Sequence, residues 1–351
     1  MRLTAPICLS LLGCGMLAAG AAGQSSTSSK LQTRKGPPVR TIHLNVVVTP
    51  KSGVPVGGLE EKDFTVLDNK KVQPITLFKE HDGQKEPIEM IVLMDNVNSG
   101  FEVVAQERAG IEKFLRANGG KLTHPTALAV LTDRGMETQG AYSYDGNALA
   151  NALDQYDASL RIINRSAGVE GAAEELDDSL KALKTLVTYE AGRPHRKLIL
   201  WVSPGWPLLS GPNINLSYPQ QEGVFNQITW LSTELREAQI TIDNVNPLGV
   251  DEGPGRTFMY MEYLNGVTKP GEDAMGNLSL QVLATQTGGQ VLSSTDIAAS
   301  LTQCAADTGA YYEITFEPPP VEHRDVYHRL EVKVARPGLM AHTSTGYYAE
   351  P

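Results

Sequence analysis

The chain has 351 residues, and its 41% apolar content is typical of an ordinary globular protein rather than a fibrous or disordered one. Its 40 acidic and 30 basic residues leave a net charge of −10, which disfavours binding to polyanions. Nucleic acid and anionic membrane surfaces are therefore excluded as expected partners.

Residues 1–23 have the features of a secretion signal peptide. A single positive charge at Arg2 precedes an apolar stretch and then small residues that end at Gly23, so we expect cleavage before Gln24. The protein is therefore predicted to be exported, to the periplasm or the cell exterior. A lipoprotein signal acylated at Cys14 is the alternative, although the apolar region before it is short. After the signal, no stretch reaches the ~20 apolar residues of a membrane helix, so the mature chain is predicted to lack an integral membrane segment.

Polar residues without periodicity at 24–38 indicate a flexible leader. From 39 to 82, alternating segments rich in β-branched residues are separated by turn signals. This pattern predicts an N-terminal β unit with strands over 42–48, 64–67 and 74–78.

Residues 86–308 change to short apolar strands that alternate with helical spacing. The predicted strands are 88–94, 126–131, 198–202, 240–245 and 290–292. The predicted helices are 101–115, one beginning near 145, 170–186, 222–238, 278–287 and 296–306. Because continuous apolar strands alternating with helices imply a parallel sheet covered on both faces, the predicted fold class is a doubly wound, mostly parallel α/β domain.

The C-terminal residues 309–351 return to a pure β pattern, in "AYYEITFEPP", "YHRLEVKVAR" and "HTSTGYYA". We expect them to pack with 39–82 as a small accessory β domain. The alternative is that these strands continue the edge of the main sheet.

Motifs spread over nearly all of the mature chain match one family in the same order. They are "GVPVGGLEEKDFTVLDNKKVQPITLF", "IVLMDNVNSGF", "RKLILWVSPGWP", "LATQTGGQVL" and "YHRLEVKVARPG". Together they resemble the bacterial von Willebrand factor type A-related proteins of the acidobacterial type. The resemblance implies a Rossmann-like, von Willebrand factor A-like domain.

The same resemblance implies a metal-ion-dependent adhesion site, in which Asp-x-Ser-x-Ser, a threonine and a second aspartate hold Mg²⁺ for a partner's carboxylate. Asp95 and Ser99 match the first and last positions, but Val97 replaces the middle serine. Ser203-Pro204-Gly205 stands where the family has Thr-Asp-Gly, and only Ser166 lies near the threonine's place. Since Mg²⁺ needs oxygen ligands in near-octahedral geometry, the site is predicted to be degenerate, with no cofactor or at most weak Mg²⁺ at Asp95 and Ser99.

A structural role for Asp95 is the favoured alternative to metal binding. Its carboxylate is expected to accept hydrogen bonds from backbone N–H groups of the turn over residues 96–101 and to cap the helix that follows.

Catalytic motifs do not occur in the mature chain. No HExxH spacing or phosphate-binding glycine loop is present, and Ser203 lacks the flanking glycine of a nucleophile elbow because Trp201 occupies that position. Cys304 is the one cysteine after the signal, and we expect a small core residue rather than a reactive thiol. The protein is predicted not to be an enzyme.

A partner-binding surface is predicted where two loops leave the carboxyl ends of strands, since ligands of open α/β sheets gather there. An exposed Trp206 would supply contact area, whereas the alternative has it folded back over the end of the sheet. The predicted partner-binding residues are Asp95, Asn96, Asn98, Ser99, Ser203, Trp206, Leu208 and Tyr218.

The predicted function is an exported, adhesion-like interaction module for an unknown protein. One alternative is a periplasmic enzyme whose crevice gathers Asp95, Asp133, Glu137 and Asp243 with perturbed pKa values. A second alternative is a structural component of the cell envelope.

Overall fold

The computed structural model describes residues 41–51, 53–83, 85, 88–138, 141–155, 168–209, 216–249 and 260–351. The predicted signal peptide with Cys14, the predicted leader and Ser166 lie outside these residues.

Strands and helices are numbered here in chain order. The strands are β1 (Ile42–Pro50), β2 (Phe64–Asp68), β3 (Lys71–Gln73), β4 (Leu77–Asp82), β5 (Glu89–Asp95), β6 (Lys121–Thr132), β7 (Gly135–Thr138), β8 (Ser143–Asp145), β9 (Lys197–Val202), β10 (Ile240–Asn246), β11 (Val291–Ser293), β12 (Ala310–Phe316), β13 (Val326–Val334), β14 (Leu339–His342) and β15 (Gly346–Ala349). The α-helices are α1 (Phe101–Leu115), α2 (Gly146–Gln155), α3 (Val169–Glu190), α4 (Tyr218–Glu237), α5 (Leu280–Gln286) and α6 (Ile297–Ala306).

The central sheet has the strand order β11-β10-β9-β5-β6-β7, and β8 also pairs with β6. Neighbours from β11 to β6 run parallel, whereas β7 and β8 are antiparallel to β6. This confirms a mixed α/β fold with a mostly parallel central sheet. In order of appearance the six strands lie 3-2-1-4-5-6, so the topological switch point falls between β5 and β9.

Each face of this sheet is covered by helices, which explains why its strands are continuously apolar. Every residue of β5 is buried, with Ile91 and Leu93 on one face and Met90, Val92 and Met94 on the other. Helices α3, α4 and α5 pack on the first face, and α1, α2 and α6 on the second.

Cys304 belongs to the core beneath α6 and is fully buried, as predicted.

Two further sheets combine strands from both ends of the described chain, in the orders β14-β1-β12-β4 and β15-β13-β2-β3. The pairs β1–β12 and β2–β13 are antiparallel, and residues of both sheets share one apolar core. Residues Arg40–Pro351 form one compact unit, so the division into an α/β domain and a separate β domain stays a prediction.

Strands β7 and β8 were not predicted, because their residues are exposed or half-buried and lack an apolar run. Within the described ranges, no helix combines the length and the apolar character needed to cross a bilayer.

Candidate functional site

The candidate site lies at the carboxyl ends of β5 and β9, on the two sides of the switch point. Asp95 is the last residue of β5, and Ser203 follows directly after the end of β9. Both residues are fully buried. The sheet therefore brings together the two loops that the sequence singles out, although they are more than one hundred residues apart.

Asp95 is surrounded by hydrogen-bond donors. Its Oδ1 accepts the backbone N–H groups of Val97 and Asn98, both at 3.0 Å. Its Oδ2 accepts the indole Nε1–H of Trp201, also at 3.0 Å. The expected bonding to the turn is confirmed. The expected helix cap is not observed, because α1 begins after Gly100 with no side-chain cap bond.

The side-chain amide of Asn98 lies between three oxygen atoms. Its Nδ2 donates to both carboxylate oxygens of Asp95, at 3.1 and 2.9 Å, and to Oγ of Ser179 at 2.8 Å. Ser179 donates its own proton to the carbonyl of Glu175, which leaves its lone pairs for the amide. Mg²⁺ holds its oxygen ligands at roughly 2.0–2.1 Å, so these oxygens are spaced for N–H donors rather than for that ion.

Val97 points into the core of the α3 face and is 4% exposed. This burial explains why valine is found at position 97. The adhesion-site motif has a serine here, but in this protein the side chain packs against apolar groups. Serine at this position would place a hydroxyl in an apolar core, where it needs a hydrogen-bond partner.

Ser203 and its loop are closed by internal contacts. Oγ of Ser203 accepts the backbone N–H of Gly205 at 3.1 Å, and the carbonyl of Pro204 accepts Nε2 of Gln281 at 3.2 Å. Gly205 has φ +102°, a conformation that favours glycine, and an added Cβ would meet the Gln281 side chain. The loop is thus held in place by the side chain of Gln281 from α5.

Ser99 contacts a buried carboxyl group that was not predicted to belong to the site. Its Oγ donates to Oε1 of Glu107 at 2.7 Å, and Glu107 on α1 is fully buried. Burial raises the pKa of Glu107 well above its usual range, the Asp95 carboxylate raises it further, and the Ser99 bond lowers it. Burial therefore favours the neutral form of the Glu107 carboxyl group.

Trp206 is 4% exposed, which corrects the expectation of an exposed tryptophan. Its ring stands edge-on to that of Trp201, with centroids 5.1 Å apart. The alternative that Trp206 folds back over the end of the sheet is therefore correct. Because Asp95 and Ser203 are buried too, these three predicted residues support the surface from below and do not form it.

Other predicted residues reach the surface. Asn96, Asn98, Ser99 and Leu208 are partly exposed. Tyr218 is 63% exposed at the start of α4, where Ser217 and Gln220 form a capping box.

Phe101, the first residue of α1, is 70% exposed. It was not among the predicted partner-binding residues. Helices that follow parallel strands begin at the carboxyl edge, so Phe101 and Tyr218 flank the same edge of the sheet.

The four acids of the predicted enzymatic crevice do not share one environment. Asp133 and Glu137 are exposed at the β6–β7 hairpin. Asp95 is buried among its donors, whereas Asp243 is buried beside Gln290, Asp307 and Cys304. Burial raises the pKa of Asp243 to about 7 and that of Asp307 to about 6.

The residues present do not fit a bound Mg²⁺. In the part of the chain that the structure describes, no group of three or more His, Cys, Asp or Glu residues could hold a metal ion. The oxygens of Asp95 are already used by N–H donors, and the amide nitrogen of Asn98 occupies the space between them and Ser179.

Besides Phe101 and Gln281, three buried residues of the site were not identified from the sequence: Glu107, Ser179 and Trp201. The sequence did indicate that Glu107 is buried, because its position falls on the apolar face of α1 with Val104 and Ile111. No sequence pattern indicated that Ser179 and Trp201 belong to the site, since the residues that they contact there are far away along the chain.

Comparison with known proteins identifies no family. No family model matches the chain, and no curated protein matches it. Among solved structures, proximal thread matrix protein 1 from the mussel byssus is 12% identical, with a TM-score of 0.38, over 69% of this chain and 51% of that one. The chain thus spans about half the length of the mussel protein.

Two other solved structures are similar at the same level. The TFIIH p34 N-terminal domain is 13% identical, with a TM-score of 0.32, over 64% of this chain and 99% of that one. The manganese-loaded Plasmodium vivax TRAP protein is 11% identical, with a TM-score of 0.33, over 76% of this chain and 95% of that one. TM-scores this low carry no argument about function.

Proposed function

We propose that this protein is an exported, non-enzymatic interaction module that recognises a partner protein at the carboxyl edge of its central sheet without a bound cation. The observation that carries the proposal is the full set of N–H donors around Asp95. Val97, Asn98 and Trp201 supply them from the turn and from β9.

Internal donors change what this edge can recognise. An adhesion site of the type implied by the resemblance leaves one metal position open for a partner's carboxylate. Here N–H groups already bond both oxygens of Asp95, so no open coordination position is offered to a partner. Recognition must therefore rely on shape, apolar contact and hydrogen bonds to the neutral polar groups of the loop.

The contact surface that we propose, called the edge surface, consists of Asn96, Ser99, Phe101, Leu208 and Tyr218. Phe101 and Tyr218 are large and exposed, which favours contacts with a protein because aromatic rings bury much area at low entropic cost. Beneath this surface, Ser99 donates to the buried Glu107, and the ring of Trp206 packs against that of Trp201.

A capture experiment with matched variants tests the proposal. Immobilised wild-type protein is exposed to envelope and secreted fractions of the source cells, once with Mg²⁺ and once with EDTA. Capture of a protein does not by itself support the proposal, so the comparison uses the double variant Phe101→Ser/Tyr218→Ser. Tyr189→Ser is the control, because Tyr189 has a similar exposure at the far end of α3.

We expect the same protein to be captured with Mg²⁺ and with EDTA, to be lost from the double variant and to be retained by Tyr189→Ser. Capture that needs Mg²⁺ would refute a cation-independent mechanism. Equal capture by the double variant would show that the edge surface is not the binding site.

A further inference from the structure

A cavity of about 240 Å³ lies away from the edge surface, between the end of α4, the start of β1 and strand β15. Residues Arg236 and Glu237 line it from α4, and Tyr348 and Glu350 from the C-terminal segment. This volume is below the roughly 300–1,000 Å³ of sites for drug-sized ligands, so the cavity suits a smaller molecule.

Arg236 is an incompletely paired charge in the wall of this cavity. Its side chain is 10% exposed, and its Nε is buried with no hydrogen-bond partner among the described residues. Its ion pair with Oε1 of Glu237 is long at 3.4 Å, and the Glu237 side chain is 62% exposed. Burial accordingly lowers the pKa of Arg236.

A ligand carboxylate could give the terminal nitrogens of Arg236 closer acceptors than the 3.4 Å contact of its Nη2 with Glu237. Burying a guanidinium without a full set of acceptors is costly, and arginine pairs with carboxylates through two parallel N–H bonds. The cost of this arrangement in the free protein is offset when an anion of the right shape enters the cavity.

The acidic residues of the cavity restrict which anion can enter. Glu237 and Glu350 line it together with Arg236, so a ligand with two negative charges would be repelled. An ammonium group on the ligand would instead be attracted to them. The remaining wall includes Pro318, Pro319 and the ring of Tyr348, which suits an apolar body.

We propose that this cavity binds a free amino acid with an apolar or aromatic side chain. Its carboxylate pairs with Arg236, its ammonium group faces Glu237 and Glu350, and its side chain lies against Pro318, Pro319 and Tyr348. This site is independent of the edge surface and of the proposed partner protein.

Calorimetric titration of the protein tests this assignment. L-Leucine, L-proline and L-tyrosine are titrated separately, and the amino acid that binds is then compared with its N-acetyl and amide derivatives. We expect saturable binding of at least one amino acid. Each derivative should bind at least tenfold more weakly, because the first removes the ammonium group and the second removes the carboxylate.

Variants distinguish this cavity from other sites. Arg236→Lys keeps the charge but loses the planar fork, and we expect at least a tenfold loss of affinity. Because Arg236 is buried and its variant can lose stability, Glu237→Gln provides a second test on an exposed residue. It should reduce the preference for the amino acid over its N-acetyl derivative, because Glu350 still faces the ammonium group, whereas Glu222→Gln, at an exposed position near the other end of α4, should change nothing.

Three results would overturn the proposal. They are the absence of saturable heat with all three amino acids, equal binding of the amino acid and its N-acetyl derivative by the wild type, and unchanged affinity in both folded variants.

Discussion

Asp95 and Asp243 are both buried in the central sheet, yet their surroundings differ. Asp95 accepts hydrogen bonds from two backbone N–H groups, an amide and an indole. Asp243 accepts one backbone N–H, from Gln290 at 2.8 Å, and otherwise faces the thiol of Cys304 and the carboxyl of Asp307. Arg196 is its nearby positive charge.

The comparison shows that donors decide what a buried carboxyl group does. Burial alone penalises the charged form, and this is why the pKa of Asp243 rises to about 7. The oxygens of Asp95 instead hold the turn beneath the edge surface through N–H donors, whereas burial brings the pKa of Asp243 to about 7.

The largest effect is expected for Asp95→Ala. This change removes the acceptor from several buried donors, each of which costs about 1–3 kcal/mol when left unpaired. We expect the free energy of unfolding, measured with urea, to fall by at least ~3 kcal/mol.

Asp95→Asn is the control for this prediction, because it keeps one acceptor oxygen. It should cost less than the alanine variant, about 1–2 kcal/mol. A loss below ~1 kcal/mol for alanine would show that the donors around Asp95 are satisfied in another way.

The pH dependence of stability should report the titration of Asp243. The folded-state pKa of Asp243 is raised from 3.8 to about 7. Between these values the folded protein holds a proton that the unfolded chain has released, so stability falls as the pH rises through this window.

Each pKa unit corresponds to about 1.4 kcal/mol, so between pH 5 and pH 8 the wild type should lose roughly 2–3 kcal/mol more than Asp243→Asn. Urea unfolding at the two pH values measures this difference. Asp307, whose pKa is also raised, lowers stability with rising pH in the wild type and in Asp243→Asn alike. It therefore does not account for a difference between the two proteins. Parallel pH profiles would contradict the prediction.

A tryptophan pair tests the indole donor. Trp201→Phe removes the N–H group that Asp95 accepts and should destabilise the protein by about 1–2 kcal/mol more than Trp206→Phe. Trp206 is the matched control, because it is also buried and its Nε1 has no partner among the described residues. Equal losses of unfolding free energy would mean that the indole bond to Asp95 contributes nothing.

The smallest effect is expected from divalent cations. Calorimetric titration with Mg²⁺, Mn²⁺ and Ca²⁺ should give no saturable heat, and millimolar Mg²⁺ should leave the melting temperature unchanged, because a ligand stabilises only the state that binds it. Val97→Ser alone should not restore binding, since the Asn98 amide still lies between the oxygens. Saturable binding that disappears in Asp95→Ala would contradict this prediction.

Local patterns predicted much of the fold and part of the site. The apolar runs of β5 and β9 indicated buried parallel strands, and the polar residues after Met94 indicated the turn that Asp95 holds. The burial of Glu107 could also have been predicted, because its position falls on the apolar face of α1.

The direction of Trp206 could not be predicted in the same way. A tryptophan in a loop turns outward or inward according to what covers the end of the sheet. Here the ring of Trp201 offers an edge-on contact, and Trp201 is itself fixed by its bond to Asp95. This chain of contacts joins two strands that are neighbours only once the sheet has formed.

The sequence by itself determined most of the strands and helices, and it showed that the side chains at positions 97 and 204 carry no oxygen that could bind a metal ion. Those properties follow from periodicity and from the atoms that valine and proline carry. Only the tertiary structure decided that Asn98, Ser179 and Trp201 close around Asp95. The physical reason is that hydrogen bonds depend on distances of about 3 Å, and the order of strands in the sheet sets those distances for residues far apart in the chain.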